Sequence, residues 1–179
     1  MIIFLCGPKG SGKDTVASKF IELHPTYIRL AFADPIRDFV MDLFDLTTTT
    51  EYDDFKRGSL SVNSNCVSGR EIVRGIGMKM LSYDTEQFVR YVEEQINQST
   101  NNVIVTDTRM DHEFNLVTKL RQTRDDVVLA QIRRPGHEYD GHVTERPPSV
   151  PVDLVINNDG NVNDAVLKLH FYTTGETNR

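Results

Sequence analysis

The sequence contains no tryptophan and only two cysteines, Cys6 and Cys66. These two do not form a CxxC pair, so the chain carries neither a disulfide framework nor the cysteine spacing of a zinc site. No apolar run approaches the roughly 18 residues that a membrane span needs. The first apolar run ends at Gly7 without basic residues ahead of it, so no export segment is expected. These absences favour a cytoplasmic protein that binds no membrane.

Basic residues are also in deficit, with 20 Lys and Arg against 26 Asp and Glu and a net charge of −6. A surface of this sign repels polyanions, which argues against a nucleic acid polymer as partner. The basic residues that are present are mostly arginine, 13 of the 20. Arginine binds phosphate through two parallel hydrogen bonds, so the positions of these arginines matter for function. The length of 179 residues predicts one domain.

Short apolar runs alternate with segments of helical period along the chain. Strands are expected at residues 2–6, 27–32, 103–105, 127–132 and 154–156. Helices are expected between them, and this order is typical of an α/β fold with a mostly parallel central sheet flanked by helices. Several proline and glycine residues punctuate 134–151, which predicts a loop with the character of a lid.

The region after the second strand gives two clear helix starts. Asp34 as N-cap and Pro35 in the first turn open a helix, and its predicted inward face is Ile36, Phe39, Val40, Leu43 and Phe44. Ser68 and Glu71 form a capping box that opens another. Residues 45–67 between them are polar and predict a flexible insertion.

A glycine loop at residues 7–13 joins the first strand to the first helix and fits G-x-x-x-x-G-K. Such a loop turns backbone N–H groups toward phosphate oxygens, and the helix N-terminus adds its positive end. Lys13 would then reach the β and γ phosphates of a nucleotide. The candidate nucleotide-binding residues are Gly10, Ser11, Gly12, Lys13, Asp14 and Thr15.

One position departs from the usual pattern. Asp14 stands where a Ser or Thr hydroxyl normally meets Mg²⁺, and Thr15 follows about 100° further round the helix. Asp14 or Asp107, each acting through water, is therefore the candidate for holding Mg²⁺. Asp107 has two other readings, fixing Arg109 or capping a helix.

Five arginines fall at the ends of predicted elements, where open α/β sheets bind their ligands. They are Arg37, Arg70, Arg109, Arg133 and Arg134. Each one singly can also be a solvated or ion-paired side chain. The D-x-x-G and N-K-x-D patterns of GTPase switches are absent. Together, these observations favour a kinase that acts on a small phosphorylated substrate.

Five segments then carry a resemblance to a known family. They are GPKGSGKDT at 7–15, FADPIR at 32–37, SGRE at 68–71, VTDTRMDHE at 105–113 and INNDG at 156–160. In this order they resemble the bacteriophage-type deoxynucleoside monophosphate kinases. The resemblance implies a three-layer P-loop NTPase fold in a single domain, 1–179. Residues 34–100 would form the acceptor-binding helical region and residues 133–151 the lid.

The resemblance also implies a reaction, transfer of the ATP γ-phosphate to a deoxynucleoside monophosphate (dNMP) with Mg²⁺. Lys13 and the loop amides would hold ATP, and Arg133 and Arg134 would stabilise charge on the transferred group. The acceptor would be bound by the following residues, with Arg109 also counted as catalytic: Asp34, Arg37, Arg70, Asp107 and Arg109.

Several alternatives stay open at this point. Another small-molecule kinase of the same fold, such as a phosphomevalonate kinase, can carry a GKD loop, and a nucleotide-dependent switch or binding module belongs to a different class. His137, His142 and Glu145 lie in the predicted lid and receive no catalytic role. Tyr83 and Phe88 can stack on a base, although the helical stripe favours Phe88 as core. The sequence leaves both the accepted base and a homodimer undecided.

Overall fold

The computed structural model describes residues 1–62, 65–139, 141 and 146–176. The chain forms two compact units: the sheet unit, Met1–Phe32 with Tyr91–Arg179, and the helical unit, Ala33–Arg90. The elements, in chain order, are β1 (Ile2–Cys6), α1 (Lys13–Leu23), β2 (Tyr27–Leu30), α2 (Asp34–Leu43), α3 (Thr49–Arg57), β3 (Ser59–Val62), β4 (Asn65–Ser68), α4 (Gly69–Tyr83), α5 (Gln87–Gln98), β5 (Asn102–Thr108), α6 (Asp111–Arg121), β6 (Val127–Arg133), β7 (Leu154–Asn157) and α7 (Val162–Thr174).

The sheet unit is built on five strands in the order β2-β5-β1-β6-β7, and each neighbouring pair is parallel. Strand β1 therefore lies in the middle, with β5 and β6 on either side. All five residues of β1 are buried, which explains why its sequence is a continuous apolar run and not an alternating one. The carboxyl ends of β5, β1 and β6 consequently share one edge, and these are the ends that carry the candidate phosphate residues.

Helices cover the sheet and complete the predicted α/β fold. On one face, Ile3 and Leu5 of β1 belong to a core that includes Phe20 of α1 and Leu169 of α7. Helix α6 packs along β6 and buries its own apolar face, including Phe114. The predicted α/β fold with a parallel central sheet is confirmed.

The helical unit contains regular structure where the sequence predicted a flexible insertion at 45–67. Helix α3 begins after Thr48, whose hydroxyl accepts the backbone N–H of Glu51 while the Glu51 carboxylate accepts the N–H of Thr48. Strands β3 and β4 follow as an antiparallel hairpin. The prediction for 45–67 was wrong because the T-x-x-E capping box at Thr48 was not weighed against the polar composition.

Helix α2 also differs from its predicted start and inward face. It begins at Asp34, so the N-cap position belongs to Ala33 and not to Asp34. Ile36 and Val40 are buried, but Phe39 and Leu43 are 50% and 58% exposed. The prediction of one continuous inward face was wrong. Apolar residues at helical spacing show which side of a helix is buried, but they do not show how much of that side neighbouring elements cover.

The second predicted capping box is confirmed at the start of α4. The Ser68 hydroxyl accepts the N–H of Glu71, and the Glu71 carboxylate accepts the N–H of Ser68. Further along α4, a Cβ at Gly77 would lie 2.8 Å from Cδ1 of Ile36. This small residue is what lets α2 and α4 approach each other within the helical unit.

The remaining expectations concern membrane spans, the cysteines and single residues. None of the helices in the described ranges has the length and apolar composition of a membrane span. Both cysteines are free thiols, Cys6 buried and Cys66 exposed. Phe88 is buried, as its helical stripe predicted, and Tyr83 is 79% exposed. His142 and Glu145 of the predicted lid lie outside the described residues.

Candidate active site

The glycine loop has a backbone that only glycine adopts readily. Gly7, Gly10 and Gly12 have φ values of 140°, 78° and 96°, in the region that side chains disfavour. A Cβ on Gly7 would lie 2.2 Å from the carbonyl oxygen of Ile132, and one on Gly12 would lie 2.4 Å from Nδ2 of Asn158. The loop is therefore a tightly enclosed cradle whose shape depends on its neighbours as well as on its own sequence.

Helix α1 begins directly after this cradle with its N-terminus open. The N-cap residue is Gly12, and no side chain caps the first turn. The helical hydrogen bonds begin with the N–H of Val16, which donates to the Gly12 carbonyl, so the N–H groups of Asp14 and Thr15 have no acceptor within the helix, which is the arrangement that binds phosphate. The loop also holds a buried hydroxyl, Ser11 Oγ, with no hydrogen-bond partner among the described residues. Both observations fit a bound polyphosphate.

Lys13 lies folded over the glycine loop. Its ammonium donates to the carbonyl oxygens of Gly7 at 2.7 Å and Pro8 at 2.9 Å, and the residue is only 6% exposed. A buried ammonium needs such partners, and phosphate oxygens are stronger acceptors than carbonyls. The geometry places the positive charge of Lys13 at the mouth of the cradle.

Asn158, in the segment after β7, fastens the glycine loop to the sheet. Its side-chain amide donates to the carbonyl oxygen of Ser11 at 2.9 Å, and its backbone N–H donates to the carbonyl of Arg133 at 2.7 Å. The residue is 9% exposed. One buried side chain therefore ties the glycine loop to the end of β6, and loss of its amide would leave a buried carbonyl unpaired.

A tight turn after β6 contacts the loop from another side. Residues 134–137 close it with a hydrogen bond from the N–H of His137 to the carbonyl of Arg134, and Gly136 has φ 76°. Proline followed by glycine in the left-handed region is typical of a type II turn. His137 Nδ1 lies 3.1 Å from the carbonyl oxygen of Lys9, so this nitrogen carries the proton. His137, for which no partner was predicted, thus contacts the glycine loop.

Arg133 is the last residue of β6 and Arg134 follows it, and both side chains are exposed. They line a cavity of about 550 Å³, together with Pro8 of the glycine loop and residues of the 135–139 and 157–159 segments. Burial raises the pKa of the Cys6 thiol to about 12, whereas the positive charges of Lys13 and Arg133 act to lower it. Arg133 ends β6 and Lys13 begins α1 just beyond the end of β1, and because β1 and β6 are parallel neighbours both cations lie at the same edge of the sheet.

At the end of β5, Asp107 and Glu113 form a buried acidic pair. Asp107 Oδ1 accepts the N–H of Phe32 at 2.8 Å. Glu113 Oε2 accepts the N–H groups of Arg109 at 2.5 Å and Met110 at 2.9 Å. Burial, reinforced by the Asp107 charge, raises the pKa of Glu113 to about 8. The carboxyl group of Glu113 thus fixes the turn that carries Arg109.

Asp107 does not cap helix α6, which begins at Asp111 after Met110. That alternative for Asp107 is excluded. The contact with Phe32 gives Asp107 a structural role as well, holding the chain where it leaves the sheet unit's second strand.

The remaining candidates, Arg37 and Arg70, lie in the helical unit. Arg37 is ion-paired with Asp34 at 2.8 Å and Asp38 at 3.1 Å. Arg70 lies exposed in the first turn of α4, and no ion pair to it occurs within the described residues. Arg37 and Arg70 both lie near α3, because the charge of Arg37 acts to lower the pKa of Tyr52 and that of Arg70 contributes to lowering the pKa of Asp53.

A resident metal site built from protein ligands alone is not visible in the described ranges, which contain no cluster of three His, Cys, Asp or Glu side chains suited to a metal. Asp14 and Thr15 are exposed in the first turn of α1, beside the cradle. Mg²⁺ commonly takes one or two carboxylates with substrate phosphates and water. An exposed Asp14 next to a phosphate cradle fits that donor set.

Comparison with solved structures gives the fold. A putative kinase from Chloroflexus aurantiacus J-10-fl is 12% identical with a TM-score of 0.55, covering 98% of this chain and 97% of that one. TT1252 from Thermus thermophilus is 15% identical with a TM-score of 0.53, covering 99% and 98%. A gluconokinase from Sinorhizobium meliloti 1021 is 14% identical, covering 97% and 93%, with a TM-score of 0.48. No curated protein is significantly similar in sequence.

These distant structures show only the fold, and a family model adds evidence about the kind of protein. The model for deoxynucleotide monophosphate kinase matches residues 83–169, which include β5, β6, the turn after β6 and the Asn158 segment. The glycine loop lies outside this range, so its geometry is a separate observation. Over residues 83–169, just under half of the chain, the sequence is similar to the deoxynucleotide monophosphate kinases, and the match supports an ATP-dependent phosphotransferase, called the kinase below.

Within this kinase, three residues with buried contacts had no assigned role in the sequence. Asn158 and Glu113 stood inside segments that carried the family resemblance, but their partners lie 147 and 4 residues away respectively. Gln131 stands in an apolar strand and accepts the Nε–H of Arg133 at 2.9 Å. A polar residue in a buried strand is the signal that could have found Gln131, since such a residue needs a partner.

Proposed function

We propose that the kinase transfers the γ-phosphoryl group of ATP to a dNMP, giving a deoxynucleoside diphosphate and ADP. The observation that carries the proposal is the enclosed glycine cradle with the buried Lys13 at its mouth, in a chain whose residues 83–169 match the deoxynucleotide monophosphate kinase model. The cradle supports a polyphosphate donor, and the family supports a nucleotide acceptor.

On the donor side, the loop amides and Lys13 would bind the β and γ phosphates. The 550 Å³ cavity beside Pro8 has the size of a small-ligand site and would take the nucleoside of ATP. Arg133 and Arg134, at the rim of that cavity, would stabilise charge on the transferred group. Phosphoryl transfer needs mainly this positioning and charge, because there is little covalent chemistry for the protein to perform.

On the acceptor side, Arg70 would bind the phosphate of the dNMP. Its side chain is exposed and has no ion pair among the described residues, so no ion pair there has to break when it binds a phosphate. Arg37 would have to exchange the carboxylates of Asp34 and Asp38 for phosphate. The family resemblance implies that Arg109 and Asp107, at the end of β5 in the sheet unit, also bind the acceptor. The helical unit and the 133–151 segment would then act as acceptor-binding region and lid.

No general base is required in this scheme, because the acceptor phosphate oxygen is already ionised at neutral pH. Mg²⁺ supplies charge neutralisation of the phosphates when bound, and Asp14 or Asp107 would hold it through water. The protein's own contribution is to align the two phosphates and to exclude water from them.

The experiment is a coupled assay of ADP release with ATP and a panel of acceptors. The panel contains each dNMP, each ribonucleoside monophosphate and phosphomevalonate. We expect acceptor-stimulated turnover on at least one dNMP, and the Lys13→Ala variant sets the background. Stimulation by phosphomevalonate alone would assign the other small-molecule kinase class, and nucleotide binding without any stimulation would favour a switch or binding module.

A further inference from the structure

Gln131 is a buried polar residue that the reaction described so far does not use. It lies in β6, surrounded by Val127, Val128, Leu129, Ala130 and Ile132, and is 5% exposed. Burying a carboxamide in an apolar strand is unfavourable unless both ends of the amide find partners. The structure provides one partner for each end, and one of the two is a candidate catalytic arginine.

The first partner is Arg133, two residues further along the same strand. Residues at this spacing project from the same face of a strand. The Nε–H of Arg133 donates to Oε1 of Gln131 at 2.9 Å. A guanidinium has no acceptor atom, so the oxygen and not the nitrogen of the amide must face it. The orientation of the Gln131 amide is therefore determined chemically.

The second partner follows from this orientation. With its oxygen on Arg133, Gln131 directs Nε2 to Tyr139, and it donates to Oη of Tyr139 at 3.3 Å. Tyr139 and Arg133 both line the 550 Å³ cavity. A single buried amide thus connects the end of β6 to the segment that follows the turn at 134–137.

The contact to Nε leaves the other edge of the Arg133 guanidinium for a ligand. Among the described residues, Arg133 makes no other side-chain hydrogen bond and no ion pair. An exposed arginine ordinarily samples many rotamers, and a ligand that fixes one of them costs conformational entropy. The hydrogen bond to Gln131 fixes the rotamer of Arg133 before a ligand binds, and so it removes that cost. The two Nη groups are the pair that binds phosphate oxygens in parallel.

We propose that Gln131 is a positioning residue: it accepts from Nε of Arg133 and holds the Nη groups toward the phosphates bound by the glycine loop. This inference rests on the proposed function in taking Arg133 as a residue of phosphoryl transfer. The backbone places this end of β6 beside the glycine loop, since the Arg133 carbonyl accepts the N–H of Asn158, whose side chain binds the loop at Ser11.

The test is a double-mutant cycle of Gln131→Leu and Arg133→Ala, with kcat and KM for ATP measured for all four proteins. Leucine approximates the volume of glutamine without its hydrogen bonds. If Gln131 acts through Arg133, Gln131→Leu lowers kcat about tenfold with little change in KM for ATP, and it causes no further loss when Arg133 is already alanine. Gln122→Leu, at an exposed position after α6 and outside the site, is the matched control, and it keeps kcat within about twofold of wild type.

Two outcomes would overturn the proposal. One is an equal fractional loss from Gln131→Leu in both backgrounds, and the other is an unchanged kcat in the single variant. Gln131→Met replaces Gln131→Leu if the leucine variant does not fold at the assay temperature. Failure of both to fold also overturns the proposal, because Gln131 would then serve the fold.

The cycle does not depend on the identity of the acceptor. It uses whichever acceptor of the panel gives turnover, and with none of them it uses the acceptor-independent release of ADP, measured in the same coupled assay. Absence of dNMP turnover therefore overturns the proposed function, whereas additive effects within the cycle overturn only the role of Gln131.

Discussion

In the sheet unit, two contacts hold the glycine loop: the buried Asn158 side chain binds the Ser11 carbonyl, and His137 binds the Lys9 carbonyl at the surface. In the helical unit, Arg70 stands exposed on the first turn of α4 and no such frame surrounds it. Both regions are proposed to bind phosphate. The difference indicates that the donor side is defined mainly by backbone geometry, whereas the acceptor side is defined by mobile charge.

This contrast has a physical reason. A polyphosphate is bound by many backbone N–H groups whose directions must be fixed. Neighbouring residues must therefore hold the backbone of the loop in one conformation. An acceptor phosphate can be met by long side chains that reach it from helix surfaces. Substitutions on the donor side should therefore change kcat or the affinity for ATP, whereas substitutions on the acceptor side should change the acceptor KM. The sizes of the changes should also differ.

The largest effect is expected for Lys13→Ala. Loss of the ammonium at the mouth of the cradle removes charge that stabilises the transferred phosphoryl group, so kcat should fall by a factor on the order of 10² or more. Steady-state rates at saturating ATP and acceptor give this value. Lys168→Ala, at an exposed position of α7, is the control, and near-normal turnover of Lys13→Ala would remove Lys13 from the mechanism.

Asn158→Ala tests whether the frame around the loop matters as much as the loop itself. The substitution leaves the buried Ser11 carbonyl unpaired, which costs about 1–3 kcal/mol of stability, and loosens the cradle. We expect ATP affinity, measured by calorimetry, to fall about tenfold while acceptor KM changes little. Asn97→Ala on the exposed surface of α5 should do neither. Unchanged ATP affinity in Asn158→Ala would mean that the loop keeps its shape unaided.

Arg70→Ala addresses the acceptor side. Because Arg70 is exposed, its removal should leave the thermal midpoint within about a degree and raise acceptor KM roughly three- to tenfold, with a smaller change in KM for ATP. Arg74→Ala, one turn further along α4 and also exposed, is the matched control. If the larger change fell on KM for ATP, Arg70 would be reassigned to the donor side.

The last prediction concerns stability and not kinetics, and it is a pH dependence of the free energy of unfolding. Burial raises the pKa of Glu113 from 4.5 to about 8. Between these two pH values the carboxyl group keeps its proton in the folded protein, whereas in the unfolded chain it has lost the proton. Its contribution to the free energy of unfolding therefore falls as the pH rises from about 4.5 to about 8 and is constant outside that window.

Urea titrations of wild type and Glu113→Gln at several pH values measure this contribution. The difference in unfolding free energy between the two proteins should shift in favour of the glutamine variant as the pH rises through the window. Glu22→Gln, at an exposed position, controls for the general loss of a carboxyl group. Parallel curves for wild type and Glu113→Gln would show that Glu113 is ionised in the fold.

Much of the fold could be predicted from the sequence, because strongly patterned elements carry local signals. The continuous apolar run of β1, the capping box at Ser68 and the proline–glycine turn after β6 are all local. Residues 45–67 were mispredicted because polar composition outweighed a capping box at Thr48. The exposed Phe39 and Leu43 of α2 were mispredicted because helical period shows a stripe but not how much of it is covered.

The sequence by itself determined the α/β class, the glycine loop and the set of arginines, since each depends on residue type and close spacing. Only the tertiary structure decided which side chains frame that loop. Asn158 meets Ser11 across 147 residues, and His137 meets Lys9 across 128. Such pairs arise from the strand order of the sheet, which brings the ends of β1, β6 and β7 together and which no local pattern encodes.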